Sequence, residues 1–393
     1  MKLTLGEVSQ TESFAGLELI AGKEGLSRTL STCALLDYEF VKSLKDKYVH
    51  SNFHQNQLVI TSLLYAKDNP YLLRDAVRHL IDIDACGLVV NNVFRLELPE
   101  TVLRFADAKG FPVFVVRKQP FDVCSFVVGL HDNVKDLERA DFGDKEIGFL
   151  LHAPAAPDEV RASALRMNPS FYPQVAACYL RKESELTTEE YVRLVDAYRQ
   201  SPQHSNRNAL YRYRNGLMYL VSREDAGLEG DDASWDDMVR GIIGDDDGYA
   251  VGVGAWHYDL SELDRAMSEA IDAAMVNRGE DALVTRYATI GSYQAILPLA
   301  DQPAMTEYAR SIIEPLIEHD AAYHTELLPT LLDYVAREGN LRRLALDRGQ
   351  HENTLRYRFG QIAKVTGLNP IRAAEYEQLA LAVKIHRCKG WMR

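Results

Sequence analysis

The 393-residue sequence has little cysteine, and what it has is scattered: Cys33, Cys86, Cys124, Cys178 and Cys388 form no C-x-x-C pair. Zinc ribbons and disulfide scaffolds are excluded, and an odd, unpatterned set fits reduced thiols. Long apolar runs are missing too. No stretch approaches the roughly 18 apolar residues of a membrane span. The N-terminus reaches Glu7 before an apolar core can form, so no export signal is expected and the expected location is cytoplasmic. Positive charge is in deficit, with 44 Lys and Arg against 57 Asp and Glu, net −13. Spread evenly, that excess would repel nucleic acid. Hydrophobic residues, at 47%, are plentiful enough for real cores, which excludes wholesale disorder. At roughly 150 residues per domain the length predicts two or three domains.

The charge is not evenly spread. From Tyr323 to the end there are twelve Lys and Arg against seven Asp and Glu, a net of +5, which leaves −18 on the rest. A basic C-terminal module on an acidic body is an asymmetry that motif content has to explain.

Three segments follow from the pattern. In the first, 1–141, the stretches 57–61, 86–90 and 111–116 read as strands and 71–81 as a helix. Another helix opens at Leu98-Pro99-Glu100. This alternation predicts an α/β layer with parallel pairing. Sites in such sheets lie at the carboxyl ends of strands, so Asn91, Asn92, Arg117 and Lys118 are the candidate ligand-binding residues. In the second segment, 145–301, a strand at 175–180 precedes a helix signalled by Thr187-Thr188-Glu189-Glu190. A hairpin around Arg214-Asn215-Gly216 follows, then a helix at 234–243 with Ser234 as its expected cap, a strand at 249–254 and a helix at 260–276. The order β-α-β-β-α-β-α is a ferredoxin-like arrangement with an addition. Gly252-x-Gly254 lacks the third glycine and the Lys-Ser/Thr of phosphate loops, so it reads as close strand packing. Asp245-Asp246-Asp247 reads as a solvated loop, because consecutive acids rarely converge on one cation. No metal site, cofactor or catalytic pair is expected.

The third segment, 304–393, reads as all helical, with helices at 327–336, 341–348, 351–365 and 371–388 punctuated by Gly339-Asn340, Gly349-Gln350 and Gly367. A short helix, a tight glycine turn and a basic helix make a helix-turn-helix. At about 100° per residue, Leu355, Phe359 and Ile362 fall on one narrow arc, and Asn353, Tyr357, Gly360 and Lys364 on the opposite one, with Arg356 beside them. Asn pairs bidentately with adenine and Arg with guanine, so Asn353, Arg356 and Tyr357, nearest the helix start, are placed to read bases. Thr354 and Arg358 lie on the flanks and suit phosphate, and Arg342 and Arg343 are placed to clamp the backbone. The expected partner is double-stranded DNA. The competing readings are a nucleotide-binding or enzymatic middle segment and an oligomeric scaffold that binds no DNA.

Gly339-Asn340, then Ala345, then His351-Glu352-Asn353-Thr354-Leu355-Arg356-Tyr357-Arg358 resembles the C-terminal helix-turn-helix of the PucR-like regulators, the purine catabolism and sugar-diacid regulators. The runs 313–320 and 326–331, and the N-terminal Ala21-Gly22-Lys23-Glu24-Gly25-Leu26-Ser27-Arg28, are similar to the same family. The resemblance implies an N-terminal α/β sensory domain, a degenerate GGDEF-like middle domain and an all-α helix-turn-helix end. It also implies an unidentified small-molecule effector and a homodimer or higher homo-oligomer. Where active diguanylate cyclases carry their acids, this sequence has Gly216 and Leu217, so cyclase chemistry is not expected. Three residues depart from the family pattern. Arg348 replaces an apolar residue, Gln350 a Val and Glu352 an Arg. The first two are expected to weaken the apolar contact between the two helices of the motif, and the third places an acid at the start of the recognition helix.

Overall fold

The protein is described by a computed structural model covering residues 3–41, 52–117, 120–224, 232–246, 248–277 and 283–391. Lys118 and Asp247, both singled out in the sequence, lie outside the described residues, as does the side chain of Ser234. The chain divides into two compact units, residues 1–249 with 256–267 and residues 250–255 with 268–393.

The first unit opens with a five-stranded sheet. Its strands are β1 (Leu17–Ala21), β2 (Thr32–Leu36), β3 (Gln57–Thr61), β4 (Gly87–Val90) and β5 (Val113–Val116). They lie in the order β1-β5-β4-β3-β2, with β2 to β5 parallel and β1 antiparallel to β5. Every residue of β3, β4 and β5 is buried, which is why these three read as continuous apolar runs. The edge strands β1 and β2 are only partly buried and gave no comparable signal. After a short α1 (Leu5–Val8), α2 (Leu72–Asp82) buries Leu73, Ala76, Val77 and Leu80, the i, i+3, i+4, i+7 stripe of a helix lying on a sheet. The next helix is α3 (Glu100–Ala108). The Arg28 that ends the family-like N-terminal run is a tie between loops. Its Nε donates to the Gly110 carbonyl at 2.9 Å, and its Nη1 reaches the Ala85 carbonyl and Asp84, each at 3.1 Å.

The sequence division at 141–145 falls inside one unbroken helix, α4 (Val123–His152), about 45 Å long at 1.5 Å per residue. Its upstream part holds the first sheet's neighbourhood, since the Asn133 amide donates to Thr11 Oγ1 and Ser13 Oγ, each at 2.9 Å. Its downstream part packs on the second group of strands. A Cβ at Gly143 would come within 2.3 Å of the Tyr211 ring. Between these points the buried Asp136 takes a bidentate pair from Arg199. The chain continues through α5 (Pro157–Met167), β6 (Gln174–Lys182), α6 (Thr188–Gln200), β7 (Ala209–Tyr213), β8 (Gly216–Arg223), α7 (Asp232–Ile243), β9 (Tyr249–Val253) and α8 (Leu263–Val276). From β6 onward that is the element order read from the sequence. Thr187 caps α6 by accepting from the Glu190 amide at 3.2 Å. β8 runs antiparallel to both β6 and β7, and Tyr213 pairs with Gly216. The two-residue turn is therefore Arg214-Asn215, one residue earlier than an Asn-Gly turn would be. α7 begins at Asp232, so Ser234, the expected cap, falls inside it.

In the second unit β9 pairs in parallel with β10 (Val284–Arg286). All that follows is helical: α9 (Tyr293–Ile296), α10 (Pro303–Tyr323), α11 (Leu327–Ala336), α12 (Leu341–Asp347), α13 (Glu352–Thr366) and α14 (Ala373–Trp391), with short single turns before and after α9. Ile312, Leu316, Leu331, Leu344, Leu355, Phe359, Ile362 and Leu379 share one buried cluster. Each such side chain contributes about 1.5–3 kcal/mol by leaving water, so the last five helices, α10 to α14, are held by one core. Among the described residues no helix is long and apolar enough to cross a membrane.

Candidate nucleic-acid interface

The turn between α12 and α13 is built by backbone chemistry. Asn340 caps α12 by accepting from the Arg343 amide at 3.0 Å. The chain then reverses at Gly349, whose φ of +61° would strain any residue with a Cβ. The Gly349 and Gln350 amides close the turn onto the carbonyls of Leu346 and Ala345 at 3.1 and 2.9 Å. His351 is the N-cap of α13, its Nδ1 accepting from the Asn353 amide at 3.1 Å, so the helix starts one residue later than the sequence pattern implies. Leu355, Phe359 and Ile362 are buried as the helical geometry requires. The Phe359 ring sits 4.6 Å from that of Tyr334 on α11, whose phenol is pushed above its ordinary pKa by burial.

The opposite face is open. Asn353, Thr354, Arg356, Tyr357, Gly360 and Lys364 are all exposed, as are Arg342 and Arg343 on α12. Tyr357 is 69% exposed and its hydroxyl accepts from the Gln361 amide at 3.0 Å, which orients the ring on the helix surface. A Cβ at Gly360 would meet nothing within 4 Å, leaving that position clear for close approach. Glu352 stands 3.7 Å from Arg356 and 3.9 Å from Arg342. Exposed pairs of that length contribute little, so both cations stay available to a stronger anion.

Arg358 does not lie on a phosphate-facing flank. Its guanidinium turns to α11, donating to Thr330 Oγ1 at 3.0 Å and pairing with Glu326 at 3.0 Å, with the side chain only 21% exposed. The helical wheel places it at the edge of the apolar arc, and Glu326, the residue just before α11, draws it inward. Arg348 converges on the same spot. It pairs with Asp333 at 2.7 Å, reaches Glu326 at 3.6 Å and donates to Thr330 Oγ1 at 3.2 Å. The apolar contact expected to be weakened at Arg348 is thus replaced by a polar clamp between α11 and the motif. Sequence reading missed Glu326, Thr330 and Asp333. Their i, i+4, i+7 spacing puts them on one helix face, and two nearby arginines outside the apolar pattern were the available signal.

Gln350 has no such compensation, because its side-chain oxygen is buried without a partner. A buried acceptor left unpaired costs about 1–3 kcal/mol. Gln350→Val is therefore expected to raise the urea unfolding midpoint, by about 1 kcal/mol of stability. A lowered midpoint would show that the amide makes a contact worth keeping.

Of the four ligand candidates, the three that are described lie at the carboxyl ends of adjacent strands, Asn91 and Asn92 after β4 and Arg117 after β5. Their polar groups are already engaged. Asn91 is buried, Asn92 exchanges two 2.8 Å hydrogen bonds with the Leu96 backbone, and Arg117 pairs with Glu18. A polar cleft of about 650 Å³ opens instead at the amino ends of the strands, lined by Arg28, Gln55, Asn56, Asp84 and Lys109. Among the described residues no group of three His, Cys, Asp or Glu could hold a metal ion.

Comparison with known proteins agrees with both ends of the chain. Residues 7–124 match the purine catabolism regulatory protein-like family, and residues 327–385 match the PucR C-terminal helix-turn-helix domain. The chain is 26% identical over 108 residues to the purine catabolism regulatory protein of Bacillus subtilis (strain 168), covering 27% of this chain and 19% of that protein. It is 27% identical over 122 residues to the proline-responsive transcriptional activator PutR of the same organism, covering 30% of each. The aligned stretch thus spans less than a third of either curated relative. Among solved structures, the regulator of polyketide synthase expression from Bifidobacterium adolescentis is 16% identical, with a TM-score of 0.30 over 64% of this chain and 99% of that one. The chain joins an N-terminal domain of the PucR family to a PucR C-terminal helix-turn-helix domain.

Proposed function

We propose that this protein is a transcription regulator that binds double-stranded DNA through α13, acts in the cytoplasm and performs no catalysis. The observation that carries the reading is the exposed face of α13. It presents an amide, a guanidinium, a phenol and an ammonium around the open position at Gly360, behind a buried face that fixes the helix. Asn353, Arg356 and Tyr357 read bases, while Thr354, Lys364, Arg342 and Arg343 meet phosphates. Arg358 is withdrawn from that set and positions the helix.

The signal arises in the N-terminal domain, which responds to a small molecule or a partner at sites that include the edge near Asn91, Asn92 and Arg117. The division into a sensor (1–141), a GGDEF-like middle domain (145–301) and a helical end (304–393) is part of the same reading. The order of elements from β6 to α8 and the hairpin at Arg214-Asn215 support a GGDEF-like middle, whose missing acids suit relay or dimerisation rather than cyclase chemistry. Effector binding shifts the geometry of a homodimer, which sets whether two motifs meet two half-sites.

Gel-shift titration of the full chain on its own upstream region tests the reading. Binding that falls steeply with salt is expected, and its absence at low salt sinks it. Asn353→Ala is expected to relax base preference at one position by about 1–3 kcal/mol. Equal weakening on all sequences would instead make Asn353 a structural residue.

A further inference from the structure

The second unit contains an open cleft of about 640 Å³, away from the exposed face of α13. It lies between segment 289–296, the end of α11 and one side of α14. Val276, Ile290, Ile296, Val335 and Ala380 give it an apolar lining. Lys384 enters it from α14. Its Nζ donates to Ser292 Oγ at 2.7 Å and sits 5.7 Å from the centroid of the Tyr293 ring. Among the described residues no carboxylate stands within ion-pair distance of this ammonium. An ammonium held by a hydroxyl and an aromatic face keeps two of its three donors for a charged acceptor, so it can seat an anion.

The rest of the lining narrows the class. The volume falls in the range of small-molecule sites, and the apolar lining calls for a hydrocarbon or aromatic body attached to the anion. Glu338, Glu377 and Arg387 also border the cleft; Arg387 is engaged by the Leu332 carbonyl at 2.8 Å, and the two glutamates would repel a second negative charge on the ligand. We propose that this cleft binds a small organic monocarboxylate with an apolar or aromatic body, its carboxylate seated on Lys384 and Ser292. Val335 and Ala380 line the cleft and belong to the buried cluster that holds Phe359 of the recognition helix. A ligand bridging segment 289–296 to α11 and α14 therefore acts on the support of the DNA-reading helix, separately from any signal from the N-terminal domain. The site goes beyond the DNA-binding reading and does not depend on it, because binding can be measured without DNA.

The test is a ligand-observed NMR titration of the full chain with phenylpropionate as probe, its neutral amide as control, and the variants K384M and K384Q. Saturable binding of the acid is expected, and loss of a charge-assisted hydrogen bond should weaken it about tenfold or more in both variants and for the amide. S292A should give a smaller loss. No saturable binding of the acid, equal binding of acid and amide, or undiminished binding by folded K384M or K384Q would each overturn the proposal. Circular dichroism establishes that the variants are folded, and Lys384 is only partly buried, so neither substitution empties a core.

Discussion

Gly252→Ala, one added methyl group, is expected to destabilise the protein by about 3 kcal/mol, at the upper end of what overpacking does. A Cβ on Gly252 would lie 2.0 Å from the Ala274 amide nitrogen and 2.3 Å from the Ala270 carbonyl oxygen. Both are backbone atoms of α8, so no side-chain rotation relieves the clash. The strand has to separate from the helix, opening a contact where Ala270, Ala273 and Ala274 are fully buried. The small residues on that helix face and the glycine on the strand are one adaptation. The check is urea unfolding followed by circular dichroism. A midpoint within about 0.5 kcal/mol of the parent, the range of surface substitutions, would mean that β9 and α8 are not in this contact.

Arg199→Met should be of similar size for a different reason. Asp136 is 2% exposed in the middle of α4, and the Arg199 guanidinium meets both its oxygens. Removing the cation leaves a carboxylate in a site shaped for an ion pair. Breaking one partner of a buried pair costs about 3–5 kcal/mol. Arg199 is itself 36% exposed, which favours the lower end of that range because water can reach the abandoned oxygens. The double variant Asp136→Leu, Arg199→Met removes the stranded charge and should recover much of the loss. If the single and double variants are equally unstable, packing of the arginine stem rather than charge is responsible.

What the sequence disclosed followed burial. β3, β4 and β5 are buried along their whole length and read directly as apolar runs, whereas the half-exposed edge strands β1 and β2 did not. The apolar triplet Leu355, Phe359 and Ile362 fixed the phase of α13 within one residue of its observed start. Arg358 was misplaced because a helical wheel gives direction but not the charges waiting on the neighbouring helix. Glu326 lies outside α13, and only the tertiary fold brings it to Arg358. Gly252 was read correctly as a packing residue, since the absent phosphate-binding partners left close approach as its remaining use. The unbroken course of α4 was missed because residues 141–145, with their acids and Gly143, look like a surface boundary. The helix hides Gly143 against Tyr211 and turns the charges outward.

That helix sets a counting rule for descent. One residue inserted into α4 between Asn133 and Gly143 would turn everything beyond it by about 100° and push it about 1.5 Å along the axis. The anchor at Thr11 and Ser13 and the anchor at Tyr211 could then no longer both be met. Seven inserted residues, two turns, would restore the rotation to within about 20°. Relatives that exchange N-terminal domains across this joint should therefore differ in α4 length by counts that restore the phase, such as about 7, 11 or 18 residues. Chimaeras made at 141 should keep that phase to fold.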